Sequence, residues 1–210
     1  MNTITFALSK GRLAQEIINM LEALGILSLE IEEKTRKLVF YSADKKYKIF
    51  LAKPTDVPIY IEYGIADIGV VGKDTIMEEK RSVTEVLDLK FGACRLAVAG
   101  FSDARKLLAS KKNIRVATKY PNIAKEYFLK TNRYAEIIKL NGSVELGPLV
   151  GLSDVIVDIV ESGKTLKENG LEVIEEIANI SARLIVNSAS LKVKYDDINY
   201  IIEGLKGMIK

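Results

Sequence analysis

The residues of this chain best suited to chemistry lie between Asp154 and Leu166. A short run of mostly β-branched residues there predicts a strand buried on both faces, and Asp158 places a carboxylate near the end of that strand. The turn Ser162-Gly163-Lys164-Thr165 follows, and the next residues predict a helix that stops at Gly170. A glycine turn between a strand and a helix directs backbone N–H groups outward, with the positive end of the helix dipole behind them. The stretch therefore has features that are typical of a phosphate-binding loop.

Three interpretations of this loop can be compared. A Walker P-loop requires Gly-x-x-x-x-Gly-Lys-Ser/Thr, and that match fails because Asp158 occupies the position of the first glycine. A phosphoribosyl pocket fits the order of residues, with Asp158 on the ribose hydroxyls and the Ser162–Thr165 turn on the 5-phosphate. An ordinary strand-to-helix turn capped by Ser162 fits the same residues, so these two alternatives stay open on this stretch alone.

Composition limits the chemistry that is available. The formal net charge is +3, from 31 Lys and Arg against 28 Asp and Glu, which is too balanced to indicate nucleic-acid binding but allows an anionic small ligand. The chain has no histidine, which excludes a Ser-His triad, a histidine base and histidine metal ligands. Catalysis must then use carboxylates, lysines, arginines, backbone amides or an oxygen-bound Mg²⁺. Cys94 is the single cysteine, so no internal disulfide forms, and we interpret it as a small buried hydrophobe.

Nothing in the sequence indicates membrane association. No apolar run approaches the length of a membrane span, and the N-terminus lacks the pattern of a signal peptide. We therefore expect a cytoplasmic protein.

Basic residues follow several predicted strands. Lys10 and Arg12 lie in a glycine turn at the start of a helix, where two cations oppose the helix dipole unless an anion joins them. Simple solvation is the alternative, above all for Lys10. Lys53 follows a second strand, and Gly72 with Lys73 follows a third.

The alternation of strands and helices predicts an α/β fold with largely parallel sheets, in which ligands lie beyond the carboxyl ends of the strands. In the middle of the chain, Thr118, the Asn141–Ser143 turn and Asp158 also follow predicted strands. These residues should lie along one edge of a second sheet.

Two similar segments, Ala93–Val98 and Ser181–Val186, contain Arg95 and Arg183 at equivalent positions. We interpret them as paired crossover strands that lead into and out of a second domain. Domain I would then comprise residues 1–91 and 180–210, and domain II residues 92–179. The C-terminal helix should pack on the N-terminal part, and two such lobes form a cleft that can close.

A family resemblance rests on six segments in order: Leu8-Ser-Lys-Gly-Arg-Leu13, Ala66-Asp-Ile-Gly-Val-Val-Gly72, Cys94-Arg-Leu96, Ala117-Thr-Lys-Tyr-Pro121, Asn141-Gly-Ser143 with Glu145, and Gly151 through Gly170. Together they resemble ATP phosphoribosyltransferase of histidine biosynthesis, and the stretch around Asp158–Leu166 is the specific part. The resemblance implies two lobes similar to type II periplasmic binding proteins, joined by two crossover strands with the active site in the cleft. It also implies a reaction that joins N1 of ATP to C1 of phosphoribosyl pyrophosphate and releases pyrophosphate.

The resemblance assigns roles to individual residues. Catalytic roles fall to Arg12, Arg36 and Asp158. Phosphoribosyl pyrophosphate would contact Asp154, Asp158, Glu161, Ser162, Gly163, Lys164 and Thr165. ATP would contact Lys10, Arg12, Lys53, Gly72, Lys73, Arg95 and Thr118. Mg²⁺ would arrive bound to substrate, with no protein ligand assigned to it.

The resemblance also implies partners. The family has a long form with a C-terminal regulatory domain, and this sequence ends at Lys210 without one. It looks like the short form, which works with a regulatory subunit similar to histidyl-tRNA synthetase, so we expect a homodimer within a hetero-oligomer. The alternative from another class is a non-catalytic, two-lobed cytoplasmic ligand-binding or sensor protein, which would not need the Asp158–Thr165 stretch.

Overall fold

The structure is a computed structural model that describes residues 3–27, 37–110 and 113–209. Its first elements along the chain are β1 Ile4–Ser9, α1 Arg12–Ala23, β2 Val39–Tyr41, β3 Tyr47–Ala52, α2 Val57–Glu62, β4 Ile68–Gly72, α3 Lys73–Glu79 and β5 Thr84–Asp88. The middle elements are β6 Cys94–Gly100, α4 Ala104–Ala109, β7 Ile114–Thr118, α5 Pro121–Lys130, β8 Ala135–Lys139, α6 Leu146–Leu149, β9 Val155–Val160, α7 Lys164–Glu168 and β10 Glu172–Ile180. The last are β11 Ala182–Val186, α8 Ser188–Val193 and α9 Tyr195–Met208.

The chain divides into two compact units. Unit 1 comprises Met1–Gly92 together with Ser181–Lys210, and unit 2 comprises Ala93–Ile180. The chain passes from unit 1 to unit 2 between β5 and β6 and returns between β10 and β11. Each unit contains one sheet with helices packed against it.

The sheet of unit 1 has the order β2-β3-β1-β4-β11-β5. Its centre is parallel, because β1 pairs in parallel with both β3 and β4. The outer pairs are antiparallel: β2 with β3, and β11 with both β4 and β5. The chain enters β11 directly after β10 of unit 2, and β11 runs antiparallel to the strands on both of its sides.

The sheet of unit 2 has the order β10-β6-β9-β7-β8. Strand β7 pairs in parallel with both β9 and β8, whereas β6 is antiparallel to both β9 and β10. The α/β class is therefore confirmed, but both sheets are mixed rather than largely parallel.

The two similar segments of the sequence form β6 and β11, and these strands do not pair with each other. Strand β6 lies between β10 and β9 in unit 2, and β11 lies between β4 and β5 in unit 1. The interpretation as one strand pair is therefore wrong. The chain instead crosses through two antiparallel pairs, β5 with β11 and β6 with β10.

The C-terminal helix packs on the N-terminal part, as expected. Ile198, Ile201 and Leu205 of α9 are fully buried in the same cluster as Phe6 of β1 and Ile17 of α1. The amphipathic pattern of α9 explains this, since these three residues recur at helical spacing on one face.

A buried carboxylate anchors the same region from the amino ends of the strands. Asp67 accepts hydrogen bonds from the backbone N–H of Thr5 at 2.8 Å, the Ser190 hydroxyl at 2.6 Å and the Lys194 ammonium at 2.8 Å. These bonds satisfy a charge that would otherwise be costly to bury. They hold α8 and α9 at the end of the sheet opposite to the carboxyl edge where ligands bind in such folds.

Candidate active site

A basic edge occurs in unit 1 where three neighbouring parallel strands end. Strand β3 is followed by Lys53, β1 by Lys10 and β4 by Lys73. Neighbouring strands lie ~4.8 Å apart, so parallel strands that end at matched positions bring the following residues to one edge. The register Ser9↔Ala52 and the bond from the Lys10 N–H to the Ala52 carbonyl at 3.0 Å show this match. The three lysines that the sequence predicts beyond strand ends thus follow strands that end at one edge of the sheet.

The turn before α1 depends on Gly11, whose φ of 104° and ψ of −153° lie in a region open essentially to glycine alone. No atom lies within 4 Å of an ideal Cβ at this position, so the backbone angles and not the available space demand glycine. Arg12 begins the helix, and the first turn of α1 has no acidic residue. A cation at the positive end of a helix attracts an anionic ligand rather than stabilising the helix. Lys10 and Arg12 are both exposed.

The remaining residues predicted for ATP are divided between the two units. Lys73 forms an ion pair with Glu85. Gly72 has an extended backbone, with φ of −66°, that any residue can adopt. Arg95 and Thr118 belong to unit 2, whereas the basic edge belongs to unit 1. Arg36 lies outside the described residues, so its predicted role stays a prediction.

Thr118 has a structural use for its hydroxyl. Its Oγ1 donates to the carbonyl of Val157 at 2.7 Å and accepts from the N–H of Tyr120 at 2.9 Å, and the side chain is fully buried. Arg95 forms an ion pair with Glu176 across the β6–β10 strand pair. Both side chains are thus engaged within unit 2, and their contact with ATP stays a prediction.

The predicted phosphoribosyl residues come together in unit 2 around a pocket of about 250 Å³. The residues that line it are Glu145, Asp158, Ile159, Val160, Glu161, Ser162, Gly163, Lys164, Thr165 and Leu166. All of the predicted set except Asp154 are thus present in a single concave site.

The position of Asp158 explains a charge within an apolar strand. Strand β7 ends at Thr118, which lies opposite Val157 in the parallel register, while β9 continues to Val160. Asp158 is therefore the first residue of β9 beyond the end of its neighbour, and it is half-buried. The carboxylate reaches the pocket at the carboxyl edge of the sheet, where an α/β fold binds its ligand.

Gly163 shapes the loop that follows. It caps α7 in the left-handed region, with φ of 73° and ψ of 3°, which glycine adopts at no steric cost. N–H groups in the first turn of a helix have no carbonyl partner within the helix. The Ser162 hydroxyl accepts from the N–H of Lys164 at 3.4 Å, and the buried Leu166 anchors the helix in the core. The backbone of this loop and the exposed Lys164, whose ammonium lies 3.8 Å from Glu168, thus border the pocket.

Asp154 is not part of this site. It precedes β9, at the end of the strand opposite to the loop, and its carboxylate accepts three hydrogen bonds from Arg115. These are the backbone N–H at 2.8 Å, Nε at 3.4 Å and Nη2 at 2.8 Å. Hydrogen bonds from Arg115 hold the pKa of Asp154 below its usual value of 3.8. The expectation that Asp154 supports the ribose is therefore not met, because Arg115 engages it away from the pocket.

Replacing Asp154 by asparagine should cost stability and not substrate binding. We expect the free energy of unfolding at pH 7 to fall by roughly 1–2 kcal/mol, since charge-assisted hydrogen bonds are lost at a partly exposed site. Because the pKa of Asp154 is lowered in the folded state, its stabilisation is present above 3.8 and fades as the pH falls through the folded-state pKa. Urea unfolding of both proteins should show a difference at pH 7 that shrinks below pH 3.8. An Asp154→Asn protein with normal stability but weak phosphoribosyl pyrophosphate binding would contradict this interpretation.

Glu145 joins the site as an additional carboxylate. It follows the Asn141–Ser143 turn and precedes α6, beyond the carboxyl end of β8. An acid near the carboxyl end of a parallel strand is the signal that identified Asp158, and Glu145, in the loop that follows the parallel strand β8, carries a similar signal.

The donors of the pocket suit a metal ion that is held mainly by substrate. Within residues 3–27, 37–110 and 113–209, no three carboxylate or cysteine side chains converge on a common point. Asp158 and Glu145 do provide hard oxygen donors in the same pocket. One or two carboxylates together with substrate phosphates form the usual environment of Mg²⁺.

In the part of the chain that the structure describes, no helix is long and apolar enough to cross a bilayer.

Solved structures define the class of this fold. A putative L-cystine ABC transporter protein from Listeria monocytogenes aligns with a TM-score of 0.62 at 11% identity, covering 99% of this chain and 90% of that one. The BvgS VFT2 domain from Bordetella pertussis aligns with a TM-score of 0.59 at 9% identity, covering 97% and 87%. The chain therefore has the two-lobed α/β fold that proteins of the periplasmic binding type share.

Sequence comparison gives the family within this class. The family model described as HisG: ATP phosphoribosyltransferase matches residues 53–207. A protein named ATP phosphoribosyltransferase from Lachnoclostridium phytofermentans is 56% identical over 100% of this chain and 98% of its own length. The chain belongs to the ATP phosphoribosyltransferase family. The resemblance of the sequence segments is thus confirmed, and a non-catalytic sensor is not favoured.

Two further matches agree. A protein of the same name from Caldicellulosiruptor bescii is 52% identical over 99% of both chains. The solved ATP phosphoribosyl transferase (HisG:HisZ) complex from Thermotoga maritima aligns with a TM-score of 0.82 at 33% identity, covering 99% of this chain and 98% of that one.

Proposed function

We propose that this chain joins N1 of ATP to C1 of phosphoribosyl pyrophosphate and releases pyrophosphate, as the first step of histidine biosynthesis. The observation that carries the proposal is the pocket of unit 2, where Asp158 and the Gly163 loop line one concavity in a member of this family. A strand-end carboxylate beside the backbone N–H groups of a glycine turn suits a ribose that carries a 5-phosphate.

Unit 2 would bind phosphoribosyl pyrophosphate. The Asp158 carboxylate would accept hydrogen bonds from the ribose hydroxyls, and the N–H groups of the Ser162–Thr165 loop would donate to the 5-phosphate. Lys164, exposed at the start of α7, would add positive charge near that phosphate. Held at both ends, the sugar would present C1 in a fixed orientation. Most of the rate enhancement should arise from this positioning of C1 against the attacking nitrogen.

Unit 1 would bind the ATP phosphates at its basic edge. Lys10, Lys53 and Lys73 follow adjacent parallel strands, and Arg12 begins α1. These cations would screen the repulsion between two polyanionic substrates. No general base is needed, because N1 of adenine has a free lone pair that attacks C1 while the bond to pyrophosphate breaks. We propose on this basis that the two compact units are also the two functional domains.

Mg²⁺ would enter with the substrate and offset the charge that grows on the leaving pyrophosphate. Glu145, Asp158 and Glu161 are the carboxylates that line the pocket and could face such an ion. Use of ATP and phosphoribosyl pyrophosphate is consistent with the cytoplasmic location expected from the sequence.

The reaction can be tested by measuring pyrophosphate release from the purified chain. We expect release only when ATP, phosphoribosyl pyrophosphate and Mg²⁺ are all present. Inosine triphosphate is a matched control, because its N1 bears a hydrogen and has no free lone pair for the attack. Release from phosphoribosyl pyrophosphate alone, or equal release with inosine triphosphate, would contradict the proposed chemistry.

A regulatory partner is the second part of the proposal. The relatives match over nearly their whole length, and the solved structure from Thermotoga maritima is a HisG:HisZ complex. We infer that this chain acts as the short form, as a homodimer assembled with a regulatory subunit similar to histidyl-tRNA synthetase. Feedback by histidine requires a second site coupled to the active site, and that site would belong to the partner.

Histidine should therefore bind weakly or not at all to the isolated chain and should inhibit only the complex. Calorimetric titration of histidine into the chain, followed by activity assays with and without the partner, measures both effects. Inhibition that is independent of the partner would show that the short-form assignment is wrong.

A further inference from the structure

Glu85 is shared between two cations in unit 1. Its Oε2 accepts from the ammonium of Lys73, and its Oε1 accepts from Nη1 of Arg183 at 3.1 Å. Lys73 begins α3 directly after the carboxyl end of β4, while Glu85 and Arg183 lie on the adjacent strands β5 and β11. The side chains of Lys73, Glu85 and Arg183 are 31%, 26% and 19% exposed, so the pairs are only partly screened by water.

A second carboxylate holds Arg183 in place. Asp88 accepts from Nη2 of Arg183 at 3.2 Å, from the Ser181 hydroxyl at 2.7 Å and from the Lys90 ammonium at 2.7 Å. Burial raises the pKa of Asp88, but hydrogen bonds from Lys90 and Ser181 outweigh it and lower the pKa to about 2. Asp88 is therefore ionised at neutral pH, and it anchors the guanidinium whichever partner Glu85 has.

The group has more positive than negative charge. Lys73, Lys90 and Arg183 face Glu85 and Asp88, so three cations share two carboxylates. Because Arg183 occupies one oxygen of Glu85 and reduces its negative potential, the hold of Glu85 on Lys73 is weaker than in an exclusive pair. An arriving phosphate can then attract the ammonium of Lys73 without leaving Glu85 unpaired.

We propose that Arg183 is a positioning residue for the anionic substrate of unit 1. It shares the Glu85 carboxylate on β5 and so keeps the ammonium of Lys73, a residue of the basic edge, exchangeable between that carboxylate and a phosphate at the edge. The inference rests on the proposed function, which assigns the ATP phosphates to this edge. Arg183 itself touches no reacting atom and acts through Glu85.

A purely structural role for the network predicts a different pattern of mutant effects. If Arg183 only joined β11 to β5, each loss of a contact would weaken the protein, and a double variant would be no better than either single variant. If Arg183 controls Lys73, single variants at the two positions should act in opposite directions on ATP binding.

The test is a double-mutant cycle with Arg183→Met and Glu85→Gln. In Arg183→Met, Glu85 pairs with Lys73 alone, so KM for ATP should rise roughly fivefold while KM for phosphoribosyl pyrophosphate stays unchanged. In Glu85→Gln, Lys73 is released, and KM for ATP should stay level or fall. The double variant should return KM for ATP toward that of wild type, because no carboxylate remains at position 85 to compete for Lys73.

A matched control and a second variant keep the test decisive. Arg81→Met with Glu62→Gln removes another Arg–Glu pair of unit 1, at 3.2 Å, and should leave both KM values unchanged. Melting temperatures show whether each variant folds. If Arg183→Met does not fold, Arg183→Lys replaces it in the cycle. Arg183→Lys should then raise KM for ATP by a smaller factor, and adding Glu85→Gln should again remove the rise.

The outcomes separate this inference from the function on which it rests. Active wild type with an unchanged KM for ATP in Arg183→Met, or a double variant worse than both single variants, overturns the positioning role alone. A wild-type chain that neither binds ATP in a calorimeter nor releases pyrophosphate overturns the proposed function and the positioning role together.

Discussion

Replacing Asp158 by asparagine should lower kcat/KM for phosphoribosyl pyrophosphate by roughly a hundredfold or more, with little change in melting temperature. A carboxylate that accepts two ribose hydroxyls makes two charge-assisted hydrogen bonds, each worth ~1.5–3 kcal/mol. An amide of the same shape has no charge and offers one acceptor, so ~3 kcal/mol of transition-state stabilisation is lost. Folding should tolerate the change, because Asp158 lies beyond the end of β7 and borders the pocket rather than the packed core.

Steady-state kinetics with each substrate varied in turn would measure this effect, and KM for ATP should stay near its wild-type value. Asp154→Asn is the natural control, since it removes a carboxylate four positions earlier in the same segment, where Arg115 and not the pocket engages it. Near-normal kinetics in a folded Asp158→Asn protein would remove Asp158 from the ribose site. Equal kinetic losses in both variants would point to a general disturbance of β9.

Local patterns predicted the elements that surround the site. A run of β-branched residues predicts strand β9. The turn between β9 and α7 needs a left-handed backbone at position 163, which explains the glycine there. These features depend on residues close together in the sequence. The same holds for Gly11 and the start of α1, where the backbone angles of a single residue decide the turn.

Strands β5 and β10 could not be predicted from periodicity. Both lie at sheet edges, and charged residues interrupt their apolar pattern. In β10 the register shifts twice, between Val173 and Glu175 and between Glu176 and Ala178. Each bulge moves the following side chains to the other face, so the alternation of period two that marks a strand is lost.

Local sequence patterns also could not predict which strands pair with each other. Segments 93–98 and 181–186 resemble each other because β6 and β11 occupy similar places, each antiparallel to both of its neighbours in a mixed sheet. Similar environments select similar residues, but they do not make two strands neighbours. The similarity was therefore informative about each strand and misleading about their pairing.

The hydrogen-bond and ion-pair partners of the polar site residues also depend on the strand order, which local patterns do not give. The contacts of Asp154 with Arg115 and of Thr118 with the Val157 carbonyl depend on which strands lie side by side. The ion pair of Lys73 with Glu85 depends on the order of three strands, because β11 lies between β4 and β5. A sequence position at a strand end identifies a candidate, and only the neighbouring strand shows whether its side chain is already engaged.

Replacing Gly163 by valine should remove binding of the 5-phosphate and leave the fold of unit 2 largely intact. A φ of 73° costs a residue with a side chain ~1–2 kcal/mol, and a β-branched residue is a genuine outlier there. An ideal Cβ at this position would meet only Val160 Cγ1, at 3.8 Å, so the substitution causes no clash with the core. The loop should relieve the strain by rotating its own peptide groups, which turns the N–H groups away from the phosphate.

Two matched variants separate the loss of the phosphate cradle from strain alone. Gly163→Ala imposes the same φ with a smaller side chain and should give an intermediate loss of affinity. Gly25→Val places valine at a φ of 69° with no atom within 4 Å of its Cβ, in unit 1, so it should lower stability to a similar degree with normal kinetics. Ribose 5-phosphate titrated into each protein isolates the phosphate contact, and kcat/KM for phosphoribosyl pyrophosphate should fall roughly a hundredfold or more in Gly163→Val, the scale seen when positioned N–H donors are lost. Wild-type affinity for ribose 5-phosphate in Gly163→Val, with kinetics no worse than in Gly25→Val, would place the 5-phosphate outside this loop.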